Sequence, residues 1–213
     1  MGAVMAPLFL QAGHQLTVYN RDPKKATALV DQGAKLAYSP QQACDSSDFI
    51  FTMLSDDKAI QSVFFDNKGL LSTDVSGKLF IDMSTLQVET VKILSDAVIK
   101  QGAEFIDAPV SGTVAPAAEG KLMFFCGGKS SVIERATPLL EILSRRIIHA
   151  GDVGSGALLK LVVNLPLAVY WQSLAEAITL GSSGGLAEDL MLDAIADSSA
   201  ALAVLSMKIP TIL

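Results

Sequence analysis

Apolar positions in this chain recur at two spacings, and the alternation between them predicts the fold. Residues 1–12 are apolar at helical spacing and end at Gly13, a residue type that commonly closes helices. Residues 15–20 alternate as a short strand. Residues 23–32 read as a second helix, with Pro23 in its first turn and Gly33 at its end. Ser39-Pro40 starts a short helix, residues 48–53 (DFIFTM) form a buried strand, and residues 56–65 are helical. A strand over 79–82 precedes a long helix that Ser84 caps and that ends near Gln101, before Gly102. Strands over 104–107 and 121–126, a helix over 131–143 and a strand over 147–149 complete the series.

This rhythm, with short connections, predicts an α/β fold on a largely parallel, doubly wound sheet. After residue 150 the pattern changes. Residues 156–180 form one long helical run, Gly184-Gly185 interrupts it, and helical spacing resumes from Ala187. The expected division is therefore an α/β domain over 1–150 and the start of an all-helical domain over 151–213, joined by the long helix.

Composition narrows the function classes. Half of the 213 residues are hydrophobic, enough for one large domain or one domain and part of another. A net charge of -6 without basic clusters argues against a nucleic-acid partner. The longest apolar run, 157–171, is broken by Lys160, Asn164 and Pro166, so no membrane span is expected. The first residues read as an amphipathic helix rather than a signal segment. Cys44 and Cys126 have neither disulfide nor metal spacing and read as reduced, small hydrophobes of a cytoplasmic protein. His14 and His149 lack the neighbours of a catalytic triad or a metal site.

Three stretches carry candidate chemistry. In Gly154-Ser-Gly156-Ala-Leu-Leu-Lys160-Leu-Val-Val-Asn164, a glycine-bounded helix start leads into an apolar run with a single cation. Lys160 and Asn164 are four apart and share a helix face. Taken alone, Lys160 reads as a lysine that snorkels its head to solvent over an apolar stem. The tip of the first strand reads Asn20-Arg21-Asp22-Pro23-Lys24-Lys25. NAD-binding folds place an acid there for the ribose 2′-hydroxyl; here a neutral Asn precedes cations suited to a 2′-phosphate. Asp107-Ala-Pro-Val-Ser111-Gly112-Thr113 ends a strand with a turn that offers N–H groups and two hydroxyls to a carboxylate.

These motifs together resemble the β-hydroxyacid dehydrogenase family, which includes 3-hydroxyisobutyrate dehydrogenase and the glyoxylate/succinic semialdehyde reductases. Gly2 with Ala12-Gly13-His14 resembles the end of the nucleotide signature, and Asn20-Arg21 with Lys25 the NADPH-preferring form. Thr52-Met53-Leu54 and Asp82-Met83-Ser84-Thr85 match the strand ends that flank the cofactor. Asp107 to Gly112 matches the substrate loop, Gly154 to Asn164 the catalytic helix, and Glu176 and Gly185-Leu186 the helical domain.

The resemblance implies a Rossmann-like fold and hydride transfer between NADP(H), with NAD(H) also accepted, and a small hydroxy acid or aldehyde acid. It implies Lys160 and Asn164 as catalytic residues and Ser111, Gly112 and Thr113 as the substrate carboxylate site. Gly2, Asn20, Arg21, Lys25, Met53, Leu54 and Thr85 would bind the cofactor, with no metal. The partner it implies is a second copy of the chain, packed through the helical domain. Departures from the family pattern are Thr113 for a second glycine, Val163 for a frequent Asn, Asp22 for a Thr, and Pro166 inside the long helix, where a kink is expected. The family's first strand with its first two glycines, and its Lys-Asp-Leu segment, have no counterpart in these 213 residues. The alternative reading is therefore an impaired fragment or a non-enzymatic dinucleotide-binding module.

Overall fold

The expected strands form, and the connections between them decide their directions. The computed structural model describes residues 1–202 and 209. α1 (Gly2–Gln11) leads to β1 (Thr17–Val18); a 3-10 turn at Pro23–Ala26 runs into α2 (Thr27–Val30), and β2 (Lys35–Leu36) pairs parallel to β1. The helix expected over 23–32 is thus split, and β2 is a strand the sequence pattern does not show, two residues being too few to display alternation. There follow α3 (Pro40–Asp45), β3 (Phe49–Thr52), α4 (Asp57–Phe65), β4 (Leu79–Asp82), α5 (Val88–Lys100) and β5 (Glu104–Asp107). Next come β6 (Val110–Ser111), α6 (Val114–Ala118), β7 (Leu122–Gly127), α7 (Ser130–Glu141) and β8 (Ser144–Gly151).

β3, β4 and β5 are parallel neighbours, as expected. Beyond them the sheet is mixed rather than largely parallel: β7 runs antiparallel to β5 and β6, and only β8 restores a parallel pair. The cause is the short link between β6 and β7, residues 112–121. A parallel return needs a crossover of a dozen or more residues. Here β6 continues β5 almost directly, and one short helix brings the chain back beside it.

Both faces of this sheet are covered. Leu79, Ile81, Ile106 and Phe124 pack with Met5, Phe9, Ile133 and Leu140 on one face. Phe80, Phe105 and Ile50 pack with Ile60, Phe64, Val91, Leu94 and Val98 on the other. Successive strand side chains point to opposite faces, so strands apolar at every position fit a sheet buried on both. α1 closes at Gly13, whose φ of 84° lets His14 N–H reach Phe9 O at 3.0 Å. Ser84 does not cap α5: that helix starts at Val88 behind Gln87, without a side-chain cap, and the Ser84 hydroxyl is used elsewhere.

α8 (Ser155–Ser183) runs unbroken through Lys160, Asn164 and Pro166, and α9 (Glu188–Ala196) follows. Among the described residues it is the one helix long and apolar enough, by length and composition, to cross a membrane, so the expectation that no run reaches that length is corrected. The interruptions seen in the sequence do not stop the helix. The chain divides into two compact units, Met1–Leu161 and Val162–Leu213, so the first turns of α8 belong with the sheet. In the second unit Leu174 and Leu192 pack with Tyr170, Trp171, Ile178 and Ile195. The helical spacing expected beyond residue 202 lies outside the described residues, apart from 209.

Candidate active site

The carboxyl ends of the parallel strands are where a doubly wound sheet binds ligands, and two of them end alike. β4 closes on Ile81-Asp82 and β5 on Ile106-Asp107, with the two aspartates opposite one another in register. Both are 1 % exposed. Asp82 Oδ1 accepts from the Thr52 hydroxyl at 2.7 Å, the Ser84 hydroxyl at 2.7 Å and the Ser84 N–H at 3.3 Å. The Ser84 oxygen in turn accepts the Leu54 N–H at 3.0 Å. One carboxyl group therefore ties together the ends of β3 and β4, the strand ends assigned to the cofactor. Burial pushes Asp82 above the usual carboxylate range, and its Oδ2 has no partner among the described residues.

Asp107 does comparable work at the start of α8. Its Oδ1 accepts the Gly154 N–H and its Oδ2 the Ala157 N–H, each at 2.8 Å. These are donors that a helix start leaves without intrahelical partners. Burial raises the Asp107 carboxyl to about 6 against the opposing pull of those bonds. Glycine makes the approach feasible. A Cβ on Gly156 would stand 2.2 Å from Phe125 O and 2.8 Å from Asp107 Oδ2; one on Gly127 would stand 2.4 Å from Asp107 Oδ1. The sequence shows both aspartates only as members of motifs. Their shared signal is an Ile-Asp pair at the end of an otherwise apolar strand.

Lys160 lies three residues beyond Ala157, half-buried, and has no ion pair or hydrogen bond among the described residues. Desolvation holds its ammonium below the ordinary lysine range. Asn164 follows one turn later on the same helix, within the second unit. Ser111 belongs to β6, opposite Met123, rather than to a free loop. Gly112 has φ +140°, and a Cβ there would meet the Leu122 side chain at 2.7 Å, so glycine is required. Thr113 sits at φ -99° and leads into α6 without a side-chain cap bond, so a side chain is accommodated where the family has glycine.

The cofactor candidates also lie at strand ends. Asn20 Oδ1 accepts the Asp22 N–H, and Asp22 Oδ1 accepts the Lys24 N–H, so both side chains shape the turn after β1. Arg21 and Lys25 are exposed and form no ion pair among the described residues. Met53 packs against one core cluster and Leu54 against the other; the Leu54 N–H, being bonded to Ser84, is not free for a ligand. Thr85 is exposed. Gly2 opens α1 beside Met53, but a Cβ there would come no closer than 3.9 Å, so close packing does not require glycine at this position. Cations unpaired among the described residues at the tip of β1, a helix start beside the end of β3 and the exposed Thr85 after β4 thus all lie at strand ends, where doubly wound sheets bind ligands.

Comparison with known proteins places the chain in a family. Residues 1–151 match the model of a family described as the NAD binding domain of 6-phosphogluconate dehydrogenase. A 3-hydroxyisobutyrate dehydrogenase of Pseudomonas aeruginosa is 37% identical over 93% of this chain and 67% of its own length. Glyoxylate/succinic semialdehyde reductase 1 of Arabidopsis thaliana is 35% identical over 91% of this chain and 67% of its own length. The chain thus spans about two thirds of these relatives. The structure of Mycobacterium tuberculosis 3-hydroxyisobutyrate dehydrogenase with L-serine superposes with a TM-score of 0.82 at 32% identity, over 95% of this chain and 68% of that one. With the Rossmann-like fold and these matches in agreement, the chain belongs to the β-hydroxyacid dehydrogenase family of nicotinamide-dependent oxidoreductases.

Proposed function

We propose that the protein containing this chain interconverts a small aldehyde acid and the corresponding hydroxy acid, with NADP(H) preferred, and that Lys160 is its acid–base residue. The observation that carries this reading is a half-buried ammonium without a counter-ion among the described residues, on a helix pinned to the end of β5. When bound, the nicotinamide supplies or accepts hydride at the carbinol carbon. As an aldehyde is reduced its oxygen gains negative charge, and the Lys160 ammonium stabilises that charge and gives the oxygen its proton. In the oxidative direction the neutral amine takes the hydroxyl proton. Asn164, one turn along the helix, holds the reacting oxygen without titrating; its part rests on helical spacing. The Ser111 and Thr113 hydroxyls and the backbone at Gly112 hold the substrate carboxylate, a ligand class to which the L-serine in the M. tuberculosis structure belongs.

NADP(H) preference rests on Arg21 and Lys25, exposed and unpaired among the described residues, at a strand tip where an acid would otherwise select NAD(H). Asp22, the neighbouring negative charge, is turned to capping Lys24 N–H. Titrating nicotinamide fluorescence with this chain tests the reading: NADPH binds more tightly than NADH. Arg21→Ala weakens NADPH about tenfold, as for a charge-assisted hydrogen bond, and NADH less than about twofold. Equal losses refute the 2′-phosphate assignment, and failure to bind either dinucleotide refutes binding by this chain.

The second unit exposes Val162, Val163, Leu165, Leu167 and Val169 along α8. A contiguous apolar surface of this kind is covered in a working protein, and we assign the cover to a second copy of the chain. Sedimentation equilibrium is expected to show a dimer or larger species, which Val162→Glu with Leu165→Glu disperses. A monomer at micromolar concentration contradicts it.

A further inference from the structure

We propose that Asp107 is a positioning residue: its ionised carboxylate clamps the first turn of α8 to the end of β5 and thereby sets Lys160 against the substrate site. This deepens the reading above and rests on it. Asp107 stands where two functional segments diverge. Four residues onward in sequence is Ser111; across its carboxylate is the turn from Gly154 to Ala157, and Lys160 is three residues further along the helix. Each carboxylate oxygen serves one backbone donor, so the turn is held at two points, which fixes rotation as well as distance. Gly127 and Gly156 both approach the carboxylate so closely that neither could carry a side chain without displacing it.

The clamp needs the charged form, because a protonated carboxyl turns one acceptor into a donor that faces an N–H. Titratable and charged groups around it come from every packed element. Asp82 on β4 raises its proton affinity, the Cys126 thiol lies on β7, and His149 on β8 contacts Gly128 O and Gly151 O. Lys92 of α5 packs over Gly154, Asp152 precedes the turn, and Lys160 follows it on α8. Burial places the change near pH 6, within an enzyme's working range. Below it the clamp loosens.

Amide hydrogen exchange on the intact chain tests the clamp without turnover. After correction for intrinsic rates, protection at Gly154 and Ala157 is expected to fall as pH drops from 7.5 to 5, while Ile81 in β4 keeps its protection. Unchanged protection overturns the proposal. Asp107→Asn is expected to lower protection at the same two amides at pH 7.5. It is expected to cut kcat about 10- to 100-fold, the scale of a misplaced catalytic group, with dinucleotide affinity kept and the acidic limb near pH 6 gone from the kcat profile. Full kcat in the variant, or equal loss of kcat, dinucleotide affinity and the melting transition, overturns it as well. If the wild-type protein turns over no aldehyde acid, the reductase reading fails, and the exchange data still decide whether Asp107 holds the helix.

Discussion

Lys160→Ala is expected to lower turnover about 10²- to 10⁴-fold, the range for losing a general acid–base group, while dinucleotide affinity stays within about twofold. The split follows from position. Lys160 rises from α8, whereas the dinucleotide candidates lie at the start of α1 and in the segments that follow β1, β3 and β4. Lys160→Met, which keeps the apolar stem, loses as much, because packing is not what is removed. The pH dependence has a definite sign. Desolvation holds the Lys160 ammonium below its ordinary range, so the proton donor is lost at a lower pH than for a free lysine. Reduction therefore slows as pH rises through that value, and oxidation, which needs the neutral amine, quickens through the same value. Steady-state profiles in both directions should show mirror-image limbs that share one pKa, and both limbs should vanish in the alanine variant. A variant that keeps most of its rate would show that another group moves the proton.

Gly156→Ala is the second large effect, and it bears on stability. One added methyl would stand 2.2 Å from Phe125 O, 2.8 Å from Asp107 Oδ2 and 3.0 Å from Asp107 O. Two of these atoms are strand backbone, in β7 and at the end of β5, and cannot swing aside. The helix must lift instead, which strains or breaks the bonds from Gly154 and Ala157 to Asp107. Overpacking of this kind costs about 3 kcal/mol. In a chain of this size that lowers the melting temperature by about 6–12 °C, readable by calorimetry or circular dichroism. Gly2→Ala is the control, since its methyl would come no nearer than 3.9 Å to anything. It should change stability by less than about 0.5 kcal/mol. Comparable losses in the two variants would mean that α8 does not lie against the sheet as described.

The parallel core β3-β4-β5 was legible because its strands are apolar at nearly every position and each is separated by a helical stretch or a turn rich in Gly and Ser. β2 and β6, two residues each, were not, and neither was the reversal at β7, which depends on how short the link from β6 is. Ser84 shows a different kind of error. A serine ahead of a helical run is a good cap by composition, but the Ser84 hydroxyl donates to Asp82, its oxygen accepts the Leu54 N–H instead of a helix donor, and the helix begins later. The candidate catalytic residues were readable as residue types at a spacing; the φ of 140° at Gly112 was not. The bond from the Leu54 N–H to Ser84 joins two strand ends and has no local signal.

By itself the sequence determined that an α/β unit precedes a long apolar helix, that the helix carries one lysine near its start, and that cations follow the first strand. These are properties of local order and composition, and local pattern carries them. What only the tertiary structure decided is why that helix starts where it does. Asp107, 47 residues before Gly154, satisfies the helix's first donors from a neighbouring strand, and Phe125 O fixes how close the helix may come. Such bonds join residues far apart in the chain. No local periodicity can show them, because the partner of a buried polar group is chosen by what folding brings within 3 Å.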